Sequence, residues 1–295
     1  MLRWFRRKSA QSRPPTANTY DYANRPVSLA EDNVPVPYML PKDDREVNRL
    51  DFQHYMLRYA LRSNYLAPIV EPKRILDVGC GTGRWLAEMA QLFPEAHLIG
   101  FDLNLPPASP SFPPNCTFRQ GNLLDGLPFA AGSFDFVHQR LLVFALPADR
   151  WPLVIQDLVR VTRPGGWLEL VEVDPLFQRS GPATTRMLQL IVAACQSRGI
   201  DLKMALRLEP MLREAGLLHV TSQVISIPIG DWGGRLGNMA RTDFAAGNQT
   251  IAPLVAATTG ASIEEYQQLA TAWLHECEQY RSYCNFYVIY GQRPQ

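Results

Sequence analysis

The stretch Ile75-Leu76-Asp77-Val78-Gly79-Cys80-Gly81-Thr82-Gly83 constrains this chain more than any other. Its first residues read as a buried strand, and the three glycines that follow let the main chain turn without Cβ atoms in the way. A ligand can then lie directly against the backbone at the N-terminus of the next helix. A dinucleotide-binding turn needs its last glycine in the G-x-G-x-x-G register, and Arg84 and Leu86 stand in the two places available. A nicotinamide-dependent oxidoreductase is therefore disfavoured. Asp102 lies 21 residues beyond Gly81 and closes the second strand, where a carboxylate accepts both hydroxyls of a ribose.

Around this turn, strands and helices alternate in the way that builds a parallel sheet covered on both faces. Arg74 to Val78, Leu98 to Asp102, Thr117 to Gln120, Ser133 to His138 and Trp167 to Val173 read as successive strands. Leu86, Met89, Ala90 and Phe93 give the helix after the glycines an apolar face, and Trp151, Val154, Ile155, Leu158 and Val161 give another, stopped by Pro164-Gly165-Gly166. Pro106, Pro107, Pro110, Pro113 and Pro114 bar a helix between the second and third strands. Further helices are expected from Met187 to Arg198 and from Glu209 to Ala215. His219 to Ile227 and Asn285 to Tyr290 are β-rich, and between them a helix opens on the capping box Ser262-Ile263-Glu264-Glu265 with the stripe Tyr266, Ala270, Trp273, Cys277 and Tyr280. Ahead of the sheet, Val47, Leu50, His54, Leu57 and Leu61 mark an amphipathic helix with Asp43 or Asp44 at its start. The expected organisation is a flexible basic, Pro-rich arm at 1–37, a lid helix at 38–67, and a domain at 68–295 with a helical cap inserted at about 230–282.

Composition removes several classes of function. With 46% hydrophobic and 19% charged residues the chain is not disordered, and apolar runs such as Leu141 to Leu146 are far short of the roughly 18 residues of a membrane span. Arg3, Arg6, Arg7, Lys8 and Arg13 place +5 on an N-terminal stretch with no acid, so the remaining 24 basic and 28 acidic residues leave −4 on the rest of the chain. Nucleic acid is an unlikely partner for such a body; the arm suits an anionic surface or plain solvation. No apolar segment follows those charges, so the arm does not read as a signal peptide. The five cysteines form no C-x-x-C pair and the five histidines no H-E-x-x-H, which argues against a disulfide framework and a metal site and for a reducing, cytoplasmic setting.

Asp77 ahead of Gly79, Gly81 and Gly83, with Asp102 closing the second strand and Gly165-Gly166 before the fifth, resembles the class I S-adenosylmethionine-dependent methyltransferases over roughly residues 70 to 295. Tyr38-Met39-Leu40-Pro41, Arg49-Leu50-Asp51-Phe52-Gln53-His54, Phe136-Val137-His138-Gln139-Arg140 and Tyr290-Gly291-Gln292-Arg293-Pro294 are similar to the branch that includes fungal regulators of secondary metabolism and their bacterial relatives. The resemblance implies an α/β fold with a Rossmann-like, seven-stranded, mostly parallel sheet, S-adenosyl-L-methionine as cofactor, and methyl transfer to a small or medium-sized organic acceptor. It further implies that Asp77 orders the methionyl amino group and that Gly79, Cys80, Gly81 and Gly83 lie against the cofactor. By the same token Leu103 packs on the adenine, with Leu123 and Gln139 in the same binding set. Asn122 stands where the family usually has an aspartate, and its carboxamide oxygen still accepts from the adenine amine; Asp125 is the alternative in a shifted register.

Transfer from a sulfonium loses positive charge, so the protein mainly aligns donor and acceptor at roughly 3 Å and excludes water. His138 is a candidate general base, or else a histidine that bonds backbone. Arg140 is a candidate for gripping an acceptor carboxylate, or else for pairing with an acid such as Asp149. Glu172 and Asp174 border the same crevice. Tyr38, Arg49, Gln53 and His54 are read as packing residues of the lid or as ligand contacts. No Asn/Asp-Pro-Pro-Tyr run is present, which argues against nucleobase amines and glutamine amides as acceptors. Trp232, Tyr266 and Trp273 read as cap core or as a stack over an apolar acceptor. A second function remains open: a cofactor-binding regulatory or partner-binding protein with little or no turnover.

Overall fold

The structure is a computed structural model that describes residues 44–106 and 112–295. The arm at 1–37, the Tyr38-Met39-Leu40-Pro41 run, Asp43, Pro107 and Pro110 lie outside the described residues. Seven strands form one sheet in the order β3-β2-β1-β4-β5-β7-β6. They are β1 (Arg74–Val78), β2 (His97–Asp102), β3 (Cys116–Gln120), β4 (Phe134–Arg140), β5 (Thr162–Gln178), β6 (Leu218–Pro228) and β7 (Tyr283–Gln292). Only β7 runs antiparallel to its neighbours β5 and β6. The helices are α1 (Asp44–Leu61), α2 (Arg84–Leu92), α3 (Trp151–Val161), α4 (Pro182–Gln196), α5 (Leu208–Glu214), α6 (Gly234–Thr259) and α7 (Ile263–Tyr280).

Strand periodicity divides the apolar residues between the two faces of the sheet. Ile75, Leu98 and Phe136 pack with Trp85, Leu86 and Met89 of α2, while Leu76, Val137 and Leu168 pack with Trp151, Ile155 and Leu158 of α3. All five residues of the α3 stripe are buried. α3 ends earlier than the Pro-Gly-Gly triplet suggests. Thr162 leaves the helix in an extended conformation with its hydroxyl donating to the Leu158 carbonyl at 2.8 Å. β5 starts at once, and Gly165 with φ +71° sits where the β4–β5 register shifts, so the triplet bulges a strand rather than linking helix to strand.

The segment between β6 and β7 holds two helices where the sequence pattern marks one. Four features blur the α6 pattern: Gly234, Gly237, Gly247 and the internal Pro253. Gly237 has a packing reason, since a Cβ there would stand 2.1 Å from the Gly230 carbonyl oxygen. α4, α6 and α7 pack together, with Phe177 from the end of β5 stacked on Trp273 at 5.7 Å and edge-on to Phe244 at 5.1 Å. Ser262 caps α7 by accepting from the Glu265 N–H at 3.0 Å.

Two buried carboxyl groups bond backbone across long sequence separations. Glu276 on α7 accepts from the Ala183 and Thr184 N–H groups at 2.9 and 2.7 Å and from the Thr184 hydroxyl at 2.6 Å, closing the first turn of α4. Glu169 in β5 accepts from Leu66 and Ala67 N–H at 2.8 and 2.6 Å, pinning the segment that joins α1 to β1. Its other oxygen is buried without a partner, and burial pushes the carboxyl up to about 7 against the pull of those two N–H bonds.

Replacing Glu276 with alanine is expected to lower the unfolding free energy by about 1–2 kcal/mol, the cost of an uncapped helix terminus, as read from urea denaturation. Glu169 contributes with the opposite pH sense to a paired acid. Its folded value lies above its ordinary 4.5, so stability is full at acid pH and falls as pH rises from 4.5 through 7. Glu169→Gln, whose carbonyl accepts the same two N–H bonds, is expected to flatten this fall by up to about 3 kcal/mol between pH 5 and 8. An unchanged slope of Tm against pH in the variant would refute the assignment.

Candidate active site

The carboxyl ends of β1 to β4 gather most of the residues singled out in the sequence. Gly79, Gly81 and Gly83 all adopt left-handed φ values of +70°, +52° and +73°, which only glycine takes without strain. A Cβ at Gly79 would lie 2.8 Å from the Leu142 side chain and one at Gly83 2.9 Å from Phe112, so two of the three positions exclude larger residues by contact as well. Above Gly81 the nearest atom is Leu50 Cδ1 at 3.7 Å, from the lid helix. Cys80 is buried beneath the turn, and burial raises its thiol well above the usual range, so it is an inert packing group.

Asp102 is half-buried at the end of β2, accepting from Gly81 N–H at 2.9 Å and from Asn104 N–H at 3.0 Å. Burial raises its carboxyl and these bonds oppose the rise. Each oxygen keeps room for a further donor. Leu103 is half-buried beside it, its carbonyl receiving Gln120 Nε2 at 3.0 Å. Asn122 caps the single 3₁₀ turn Leu123–Asp125, its side-chain oxygen accepting from Leu124 N–H at 3.0 Å, while Asp125 is exposed.

Asp77, His138 and Arg140 share one face of the sheet. Asp77 pairs in register with His138; they are 2% and 1% exposed, and His138 Nδ1 stands 2.8 Å from Asp77 Oδ1. Arg140 does not reach Asp149, which pairs with Arg150 at 3.9 Å. Its Nη2 lies 3.1 Å from Nδ1 of His54 on α1. A guanidinium only donates, so that nitrogen is the acceptor and His54 is held neutral with its proton on Nε2. Burial first and Arg140 also lower the His54 value. His54 Nε2 stands 3.3 Å from Glu88 on α2, which also receives Arg58 at 2.6 Å and Asn64 at 3.1 Å. Burial alone would raise Glu88, but His54 and Arg58 outweigh it and hold the carboxyl at about 2. A small cavity under α1 is lined by Leu57, Leu61, Asn64, His138, Arg140 and Val171.

Gln139 points the other way, donating from Nε2 to Glu172 at 2.6 Å. Glu172 also accepts from Leu142 and Val143 N–H at 2.6 and 3.2 Å, and burial pushes it up to about 7. It thereby fixes the turn at Leu141, φ +57°, that seats Leu142 on Gly79. Asp174 accepts from Leu176 N–H at 3.0 Å. Tyr266 and Trp273 are buried inside the cap, and Trp232 donates to the Ile229 carbonyl at 3.0 Å.

Glu88 and Asp243 belong to this site and had no motif to announce them, and Asp51 joins them from the Arg49–His54 run. Asp51 receives Arg84 at 2.7 Å, and Asp243 on α6 receives Arg49 at 3.1 Å and Gln53 at 2.9 Å. These contacts close α1 over the glycine turn and tie it to the cap. Among the described residues no group of three or more His, Cys, Asp or Glu side chains could hold a metal ion, and no helix is long and apolar enough to cross a membrane.

The family model described as "Methyltransferase domain" matches residues 75–166. Among curated proteins, the methyltransferase pytC of Aspergillus terreus is 32% identical over 280 residues, covering 87% of this chain and 83% of the relative. The N-methyltransferase tcpN of Claviceps purpurea is 32% identical over 273 residues, covering 84% and 94%. The secondary metabolism regulator laeA of Aspergillus fumisynnematus is 34% identical over 206 residues, covering 66% and 54%. A strand order of 3-2-1-4-5-7-6, a glycine turn at the end of its central strand and relatives that match nearly its whole length place this chain in the class I S-adenosylmethionine-dependent methyltransferases.

Proposed function

We propose that the carboxyl ends of β1 to β4 hold the adenosyl cofactor and that a small or medium-sized organic acceptor is methylated beneath α1 and α6. The observation that carries this reading is the meeting of Asp77, three left-handed glycines and Asp102 at one edge of the sheet, under a helix tied to α6 through Asp243. The residues present fit the cofactor. Main chain free of a Cβ atom at Gly81 lets a ligand approach closely, Asp102 has capacity for ribose hydroxyls, and the Asn122 oxygen retains a lone pair beyond its bond to Leu124. When bound, S-adenosylmethionine supplies the electrophilic methyl on its sulfonium.

The chain's own work is then binding, orientation and exclusion of water. Asp77 takes the cationic amino end, Asp102 the ribose, Leu103 and Leu123 flank the adenine, and Gly79, Cys80, Gly81 and Gly83 supply main-chain contact. Glu172 and Gln139 act from behind by fixing the turn that carries Leu142. Arg140, facing His54 and surrounded by Asp51, Asp77 and Glu88, clamps the lid rather than gripping an acceptor. Relatives named as N-methyltransferases favour nitrogen as the accepting atom. Five free cysteines are in keeping with a reducing, cytoplasmic setting. A second reading, a cofactor-binding regulator with little turnover, draws on the relative named as a regulator of secondary metabolism.

Thermal shift with S-adenosylhomocysteine, S-adenosylmethionine and NAD in parallel tests the cofactor site. A ligand at 100 times its Kd adds about 2.7 kcal/mol to stability. Stabilisation by the two adenosyl ligands alone, abolished in Asp102→Ala, is expected; no shift, or one with NAD only, refutes the reading. Transfer of labelled methyl to pooled amine and hydroxyl acceptors then separates the two functions, since tight cofactor binding with no labelled product supports the regulator.

A further inference from the structure

His138 enters the site as a candidate base, yet its surroundings suit a different task. Its ring is 1% exposed and lies flat against Trp85, with ring centroids 3.8 Å apart and planes within 5°. Trp85 is itself fixed, donating from Nε1 to the Asn64 carbonyl at 2.7 Å. The imidazole is thus gripped on one face by a large side chain that has no freedom to turn. Its Nδ1 stands 2.8 Å from Asp77 Oδ1, and a carboxylate only accepts, so Nδ1 carries the proton.

We propose that His138 is a positioning residue: its Nδ1–H occupies Oδ1 of Asp77 and so fixes the carboxylate with Oδ2 presented to the amino group of the cofactor. The inference rests on the cofactor site proposed above and assigns the part of the cofactor on which His138 acts. Charge supports it. The groups that face His138 are Asp77 from β1, Arg140 from its own strand and the uncharged indole of α2. Burial, with Arg140 adding to it, outweighs Asp77 and lowers the histidine below its ordinary value. A neutral imidazole leaves the full negative charge of Asp77 for an ammonium ion, whereas an imidazolium would cancel it. Asp77 lies close to the glycine turn on the same strand end, so any swing of its carboxylate would move the amino end of the cofactor without disturbing the adenosine.

The test is calorimetric titration with two ligands, S-adenosylhomocysteine and 5′-methylthioadenosine, the second of which lacks the amino-acid end. His138→Phe keeps a ring against Trp85 but loses the donor. It is expected to weaken S-adenosylhomocysteine roughly ten- to hundredfold and leave 5′-methylthioadenosine within about twofold, the range for losing one hydrogen bond to a charged group. His138→Asn, whose amide can reach the same oxygen, is expected to recover most of the affinity. Asp77→Asn combined with His138→Phe is expected to cost little more than Asp77→Asn alone. Equal weakening of both ligands by His138→Phe, or no weakening of either, overturns the inference. Wild-type protein that binds neither ligand overturns instead the cofactor site on which it stands.

Discussion

Asp77 carries an ionisable group on the central strand of the sheet at 2% exposure, and a charge in such a place is costly unless partners surround it. The local architecture answers that cost in layers. His138 bonds one oxygen, Trp85 braces His138, and Arg140 brings a positive charge to the same face. Arg140 in turn meets His54, and His54 meets Glu88, which Arg58 and Asn64 complete. The chain of contacts runs from β1 through β4 to α1 and α2. The lid helix is therefore docked by a polar network as much as by Met56 and Leu57, and its seating is coupled to Asp77.

β5 supplies a parallel arrangement from its two faces. Glu169 and Glu172 are three residues apart, so their side chains leave opposite sides of the strand. One pins the backbone at Leu66 and Ala67 behind the lid helix, and the other pins Leu142 and Val143 beside the glycine turn. Both segments are irregular and carry N–H groups that no strand or helix satisfies. A carboxyl group accepts two such bonds with one side chain, which a methyl cannot. The cost appears as the upward displacement of both acids to about 7, set against four backbone N–H groups that the two acids satisfy.

What the sequence made legible follows the range of the interactions. The β1 strand matches its expected bounds, the α3 stripe is buried at all five positions, and Ser262 caps α7 through Glu265, because each depends on neighbours within a turn or two. Asp102 and the three glycines are legible for the same reason, being fixed in spacing by one strand-turn-helix unit. α6 was not, since its glycines and Pro253 serve contacts with Gly230 and the cap that have no local signature. Glu88 and Asp243 are equally silent. Each looks like an ordinary surface acid until α1 folds onto α2 and α6, bringing together residues 30 to 194 positions apart. His138 lies between the two cases, since its strand was readable while the indole stacked on its ring was not.

This difference in range divides the site into two halves with different physical origins. The half proposed to hold the cofactor is built from strand ends whose geometry is set by the sheet, so it has little freedom to vary without loss of the left-handed glycines or the buried acids. The half proposed to face an acceptor is assembled by α1 and α6, which are joined through Arg49, Gln53 and Asp243 rather than by the sheet. A substitution on the inner face of α6 alters that half while leaving Asp77, Asp102 and the glycine turn in place. Asp243 is central to this separation: it is 3% exposed and bonds two residues of the lid helix at once, so removing it takes both bonds from the α1–α6 contact while the stacking of Arg235 on Tyr59 and the contacts of α1 with α2 and Arg140 remain.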